Sequence, residues 1–84
     1  MEIVTVYSRS GCHLCENALN EIKKFSDEFN FQIEEILIDG DVELEKKYGE
    51  EVPVILINAK RHDFFKIEPE RFRTAMQSES RRRQ

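Results

Sequence analysis

The chain of 84 residues has no tryptophan, three glycines, two prolines and two cysteines. Each shortage excludes something. Two cysteines cannot build the framework of a disulfide-stapled secreted domain, which typically carries four or more, so a reducing cytoplasm is the expected compartment. With glycine and proline so sparse, no linker, low-complexity tract or internal repeat interrupts the first 76 or so residues. Basic residues are outnumbered, 13 Lys and Arg against 17 Asp and Glu, for a net charge of −4. General polyanion binding depends on dense Lys and Arg opposite phosphates, so no nucleic-acid partner is expected. Long apolar runs are also missing. The opening Met1 to Arg9 puts Glu2 where a signal peptide wants a basic region, and its apolar stretch stops well short of the roughly 18 residues a membrane helix needs. No membrane contact is expected.

What is present is clustered. Six Phe and eight Ile supply β-branched and aromatic bulk for a packed sheet, which argues against disorder even though 36% of the residues are charged. Ile3 to Tyr7 is an almost continuous apolar and β-branched run, the pattern of a strand covered on both faces. After turn material at Ser8 to Gly11 the period changes. Cys15, Ala18, Leu19, Ile22, Phe25 and Phe29 recur at three- and four-residue steps, predicting an amphipathic helix from Cys12 to about Phe29. Phe31 to Ile38 returns to strand character and closes at Asp39-Gly40. A short helix follows over Asp41 to Tyr48, with Asp41 as N-cap and Gly49 placed to end it.

Pro53 opens a third strand, Val54 to Ile57, and Asn58-Ala59 turns into a fourth around Arg61 to Phe64. Ala59 is an imperfect choice there, because two-residue hairpin turns favour glycine at positive φ. The last helix starts at Pro69, whose fixed φ suits the first helical position, with Phe72, Ala75 and Met76 as its inner stripe. The order βαβαββα with a right-handed crossover places the first two strands parallel and adjacent. The closing hairpin then runs antiparallel beside the first strand. The expected fold is α/β: a four-stranded mixed sheet of order 2-1-3-4 flanked by three helices, the long first and last on one face. Residues 1–77 form the domain and 78–84 a polar, basic tail.

Cys12-His13-Leu14-Cys15 sits where a buried strand ends and a helix begins. Unpaired N–H groups of the first turn and the helix dipole favour a thiolate at the N-terminal cysteine. A thiolate is the attacking species in thiol–disulfide exchange, and Cys15, one turn on, is close enough to resolve a mixed disulfide. Against this stands the plain alternative of two small buried hydrophobes, since free cysteine is among the most buried residue types.

Tyr7-Ser8-Arg9-Ser10-Gly11-Cys12-His13-Leu14-Cys15, with Glu51-Val52-Pro53-Val54 before a strand, resembles the glutaredoxin-like branch of the thioredoxin superfamily, closest to small members with a Cys-His-Leu-Cys centre. The resemblance runs from Ile3 to about Met76. It implies a thioredoxin-like fold, Cys12 as nucleophile, Cys15 as resolving thiol, a redox-active Cys12–Cys15 disulfide with no other cofactor, and a cis Val52-Pro53 bond. It also implies that Arg9 meets a carboxylate of glutathione. Thioredoxins differ in having Trp-Cys-Gly-Pro-Cys. Ordinary dithiol glutaredoxins have a Pro-Tyr-like dipeptide, a Thr-Val-Pro triplet and a glycine pair before an acidic turn. Here the dipeptide is His13-Leu14, the triplet begins with Glu51, and the later segment reads Lys66-Ile67-Glu68-Pro69-Glu70. One of three glutathione features is present, so glutathione stays open as co-substrate.

Around the cysteines, Arg9, His13, Val52 and Pro53 are the candidate substrate-binding residues. His13, if partly protonated, would favour the Cys12 thiolate, or else is a solvated first-turn residue. A cis Pro53 leaves the Val52 backbone free to pair with an extended substrate. Glu50 and Glu51 either oppose glutathione or form an acidic loop. Tyr7 is placed as packing under the cysteines, His62 on the surface of the edge strand beside Asp63. Arg81 to Arg83 complement the last helix's dipole more simply than they contact nucleic acid. The expected activity is disulfide exchange by a monomer on a disulfide-containing protein or small thiol substrate, with a separate reductant. Two alternatives are a zinc or iron–sulfur module, for which one cysteine pair and two histidines leave a monomeric site incomplete, and a non-catalytic domain that binds peptides.

Overall fold

A computed structural model describes residues 2–64 and 66–82. The elements follow the expected order: β1 (Glu2–Ser8), α1 (His13–Lys24), β2 (Phe31–Leu37), α2 (Val42–Tyr48), β3 (Val54–Ile57), β4 (Lys60–Phe64) and α3 (Pro69–Arg82). The sheet order is β2-β1-β3-β4. β2 runs parallel to β1, with Ser8 opposite Leu37. β3 runs antiparallel to β1, with Tyr7 opposite Val54, and β4 pairs antiparallel with β3. One step beyond that register, the cysteine loop leaving β1 and the Val52-Pro53 segment leading into β3 emerge from the same end of the sheet.

Strand alternation divides the apolar side chains between two cores. Val4, Val6, Ile55 and Ile57 pack with Ala18, Ile22 and Phe25 of the first helical segment and with Phe72 and Met76 of α3. Phe25 and Phe72 meet at 5.2 Å between ring centroids. Arg73 lies over the Phe25 ring and donates from Nη1 to both Glu28 carboxylate oxygens at 2.9 and 2.7 Å, tying α3 to the end of the α1 segment. On the other face Ile38, Tyr48 and Val54 form a smaller core with Tyr7, Leu44, Val52 and Leu56. The long helices therefore share one face, and α2 covers the other.

Element ends differ from the periodic reading in three places. The first helix is α-helical only to Lys24 and tightens into a 3₁₀ turn at Phe25–Asp27, with Ser26 Oγ donating to the Lys23 carbonyl. Apolar spacing alone does not distinguish the two, because the 3₁₀ turn still points Phe25 inward. Gly49 ends α2 in right-handed conformation, φ −52° and ψ −36°, and not in the left-handed form that usually favours glycine there. It is crowding that suits glycine, since a Cβ at 49 would run into the Glu45 carbonyl. α3 continues to Arg82, past the expected start of a tail at 78, and the remainder of that tail, Arg83 and Gln84, lies outside the described residues. His62 also differs: it is half-buried, its ring edge-on to Phe72 at 6.0 Å, and burial lowers its pKa below the ordinary histidine value.

The β3–β4 turn carries Asn58 at φ 51° and Ala59 at φ 69°. Asn58 also staples three elements. Its Oδ1 accepts from Ile3 N at 2.9 Å, its backbone N donates to Ile3 O at 2.8 Å, and its Nδ2 donates to Glu79 Oε2 at 3.1 Å. Asparagine tolerates the left-handed region; alanine is held there by the turn. Replacing Ala59 with glycine removes roughly 1–2 kcal/mol of left-handed strain and adds back part of it as lost chain freedom, so Ala59→Gly should stabilise the fold by about 0.5–1 kcal/mol. Urea unfolding measures this. An unchanged or lower midpoint would show that Ala59 carries no such strain.

Candidate redox site

The site is built from one strand end and one helix start. Ser8, the last residue of β1, is buried and held by β2 and the residue after it: its Oγ donates to Glu35 Oε2 at 3.0 Å, and its carbonyl accepts from Ile38 N at 2.9 Å. The chain then turns through Arg9, Ser10 and Gly11. Gly11 has φ 74°, a left-handed position where any other residue is strained. Cys12 N donates to the Arg9 carbonyl at 3.3 Å, closing the turn, and α1 begins at the next residue.

Cys12 is the N-cap. Its backbone is extended, φ −89° and ψ 108°, and its Sγ accepts from the backbone N of Cys15 at 3.2 Å. Sulfur thus takes the place that a serine or aspartate oxygen usually holds at a helix start. Cys12 and Cys15 are joined as a disulfide with Cα atoms 5.2 Å apart. Cys12 is half-buried, whereas Cys15 is 3% exposed among the core residues. Cys12 is thus the more exposed of the two.

The other candidates fall into two groups. Val52-Pro53 is cis, at the same end of the sheet, with Pro53 fully buried and Val52 half-buried. His13 projects into solvent, its side chain 93% exposed, with Nδ1 3.9 Å from Glu16 Oε2. Arg9 is not a free cation: its Nη1 donates to the Gly49 carbonyl at 3.1 Å, and its Nε lies 4.0 Å from Asp39 Oδ1. Tyr7 stacks on Tyr48 at 4.4 Å in the core covered by α2. Glu51 is paired with Arg61 of β4, so the acid before Val52-Pro53 does not stand as an unscreened charge.

Asp39 went unnoticed in the sequence as anything but a turn residue. Its Oδ2 accepts from Ser10 N at 2.8 Å. The Ser10 side chain and backbone beside it, helped by Arg9, hold its carboxyl below the ordinary carboxylate value. The signal available was Asp39-Gly40 itself. Gly40 has φ 83° and Asp41 N donates to the Ile38 carbonyl at 3.0 Å, so the turn reverses the chain with Asp39 toward the cysteine loop. The Glu51–Arg61 pairing had no comparable signal, because it depends on the register of β4 against β3.

A mixed sheet of this order, with a Cys-x-x-Cys pair opening the first helix and a cis proline leading into the third strand, is a thioredoxin-like fold. Within that class residues 3–77 match the family described as Glutaredoxin-like domain (DUF836), and the chain belongs to it. It is 25% identical over 75 residues to the uncharacterized protein Rv0508 of Mycobacterium tuberculosis, spanning 83% of this chain and 77% of that one. Among solved structures it is similar to protein Ne2328 of Nitrosomonas europaea, with TM-score 0.79, 27% identity and coverage of 89% and 91% of the two chains. Protein XcR50 of X. campestris gives TM-score 0.72, 29% identity and coverage of 89% and 96%. Thioredoxin of Fasciola hepatica shares the fold at TM-score 0.64 and 18% identity, over 92% and 79% of the chains. Among the described residues no helix is long and apolar enough to cross a membrane.

Two measurements follow from the geometry. After reduction, iodoacetamide should alkylate Cys12 in a Cys15→Ser variant faster than Cys15 in a Cys12→Ser variant; the reverse order would contradict the difference in burial. Asp39 should protonate below the ordinary carboxylate range in a carboxyl-carbon NMR titration. Its folded value is depressed, so the stability it contributes is present above the ordinary carboxylate value and is lost as pH falls through the folded value. An Asp39 that titrates at or above the ordinary value would mean that the contact with Ser10 is absent in solution.

Proposed function

We propose that the protein is a dithiol–disulfide oxidoreductase working as a monomer in a reducing cytoplasm, with Cys12 as nucleophile and Cys15 as resolving thiol. The observation that carries this reading is the half-buried Cys12 at the N-cap of α1, bonded to a buried Cys15. In the reduced protein the Cys15 N–H and the helix dipole would stabilise a thiolate at Cys12.

The Cys12 thiolate attacks one sulfur of a substrate disulfide. The Cys12–substrate disulfide forms, the substrate S–S bond breaks, and the departing thiolate takes a proton from water. Cys15 then loses its proton and attacks Cys12 Sγ, forming the Cys12–Cys15 bond and releasing the second substrate thiolate, which is protonated in turn. The substrate gains two electrons and two protons: the protein gives up both electrons and the Cys15 proton, and water supplies the second proton, equivalent to the one Cys12 released on ionising. A dithiol reductant reverses the sequence. Val52, half-buried before Pro53, would offer its backbone to an extended partner, and exposed His13 would border the approach.

Glutathione is the less favoured reductant. Arg9, the one glutathione-type feature in the sequence, is engaged by Gly49 and Asp39. Among the described residues of this chain no three His, Cys, Asp or Glu side chains come together as ligands.

Disulfide reduction by the wild type and both single cysteine variants tests the proposal, with dithiothreitol and glutathione as alternative reductants. Cys12→Ser should fall to background, Cys15→Ser should accumulate a mixed disulfide at Cys12, and turnover with dithiothreitol should exceed that with glutathione. Undiminished activity in Cys12→Ser would overturn the assignment. Glutathione turnover matching the dithiol rate would restore Arg9 as a carboxylate clamp.

A further inference from the structure

The approach to Cys12 is fastened by two residues that the exchange chemistry does not use. Asp39, in the turn after β2, accepts from the Ser10 backbone at 2.8 Å, two residues before Cys12. Arg9 lies alongside, with Nε 4.0 Å from Asp39 Oδ1 and Nη1 donating to the Gly49 carbonyl at 3.1 Å. The Arg9 carbonyl in turn accepts from Cys12 N at 3.3 Å. A continuous chain of contacts therefore joins the β2–α2 turn, the cysteine loop and the end of α2, the point from which the chain runs on to Val52-Pro53.

Resting on Cys12 as the exchanging thiol, we propose that Asp39 and Arg9 are positioning residues that brace the loop so that Cys12 stays at the N-cap of α1 when the disulfide is reduced. The oxidised loop is closed covalently by the Cys12–Cys15 bond. On reduction that bond is gone, and Gly11 leaves the loop conformationally permissive. The hydrogen bonds to Asp39 and Gly49 then keep the Cys12 sulfur within reach of the Cys15 N–H. Arg9 serves as an internal strut; its guanidinium spans an anion and a backbone carbonyl, a fork that lysine cannot reproduce. Both side chains are partly exposed, 46% for Arg9 and 39% for Asp39, so the brace acts through geometry more than through a buried charge.

The sign of one measurement separates these roles. If Asp39 acted on Cys12 only as a nearby negative charge, Asp39→Asn would make the Cys12 thiolate easier to form. Loss of the brace does the opposite, because the sulfur leaves the helix N-terminus. In the reduced full chain carrying Cys15→Ser, thiolate absorbance against pH should move upward toward the ordinary thiol range in both Asp39→Asn and Arg9→Lys. With both cysteines present, exchange with a small uncharged disulfide at neutral pH should slow roughly two- to fivefold, the loss of a helix-terminus interaction converted to rate. Circular dichroism checks that the variants fold, and Arg9→Lys alone decides if Asp39→Asn does not. A downward or unmoved titration in Asp39→Asn, or wild-type behaviour in Arg9→Lys, overturns the brace. If the wild type exchanges no disulfide, it is the oxidoreductase reading that fails, while the thiolate titration still decides the brace.

Discussion

The hydrogen bond from the Cys15 backbone to the Cys12 sulfur is the interaction on which the rest of the site depends. A helix start leaves N–H groups without intrahelical partners, and here one of them is satisfied by the Cys12 sulfur. For that to hold, Cys12 must be at the N-cap, and so the strand before it must end at a fixed height. β1 is fixed by lying between two neighbours, parallel to β2 and antiparallel to β3, with Val4 and Val6 wholly buried. Ser8 closes it with hydrogen bonds to Glu35 and Ile38. The core on the α1–α3 face thus sets where the sulfur stands, and the core on the α2 face sets where the cis proline stands.

Much of this was legible in the sequence because it depends on periods and on residues with narrow backbone preferences. Short apolar and β-branched runs located the first three strands, the Asn58-Ala59 turn led to the fourth, and the Cys15–Ala18–Ile22 spacing located α1. The order of elements then left few topologies. Asp41 is the N-cap of α2, with Leu44 N donating to Oδ1 at 3.1 Å, as its identity and position suggested. The cis Val52-Pro53 bond was implied by family resemblance and is present; composition would not have revealed it.

What escaped the sequence depends on distances between segments far apart in the chain. Arg9 meets Gly49 across 40 positions and Ser10 meets Asp39 across 29, and neither pairing has a local pattern. His62 was read as a surface residue because it neighbours Asp63 on an edge strand, yet the irregularity in β3–β4 pairing near Ile55 and Leu56 accompanies a ring turned toward Phe72. Helix ends also escaped. The change from α to 3₁₀ at Phe25 preserves the apolar stripe, and the polar sequence after Met76 gives no apolar sign that α3 continues, although Glu79 gains a partner in Asn58.

Charge at the cysteine end must therefore be weighed after pairing. On the sequence, Glu51 opposes an anionic co-substrate and Arg9 attracts one, which leaves the balance to guesswork. In the fold Glu51 is matched by Arg61, and Arg9 by Asp39 and the Gly49 carbonyl. Exposed pairs of this kind contribute little to stability, with a median of about 0–1 kcal/mol, but they cancel much of the field each charge would project. Repulsion by Glu51 is accordingly a weaker reason to disfavour glutathione than it seemed. The stronger reason is the commitment of Arg9, because recruiting it as a carboxylate clamp would require breaking contacts that hold the cysteine loop. Under the proposed oxidoreductase reading, selectivity would turn on which backbone and side-chain donors remain available beside Cys12, more than on the net charge of the segment.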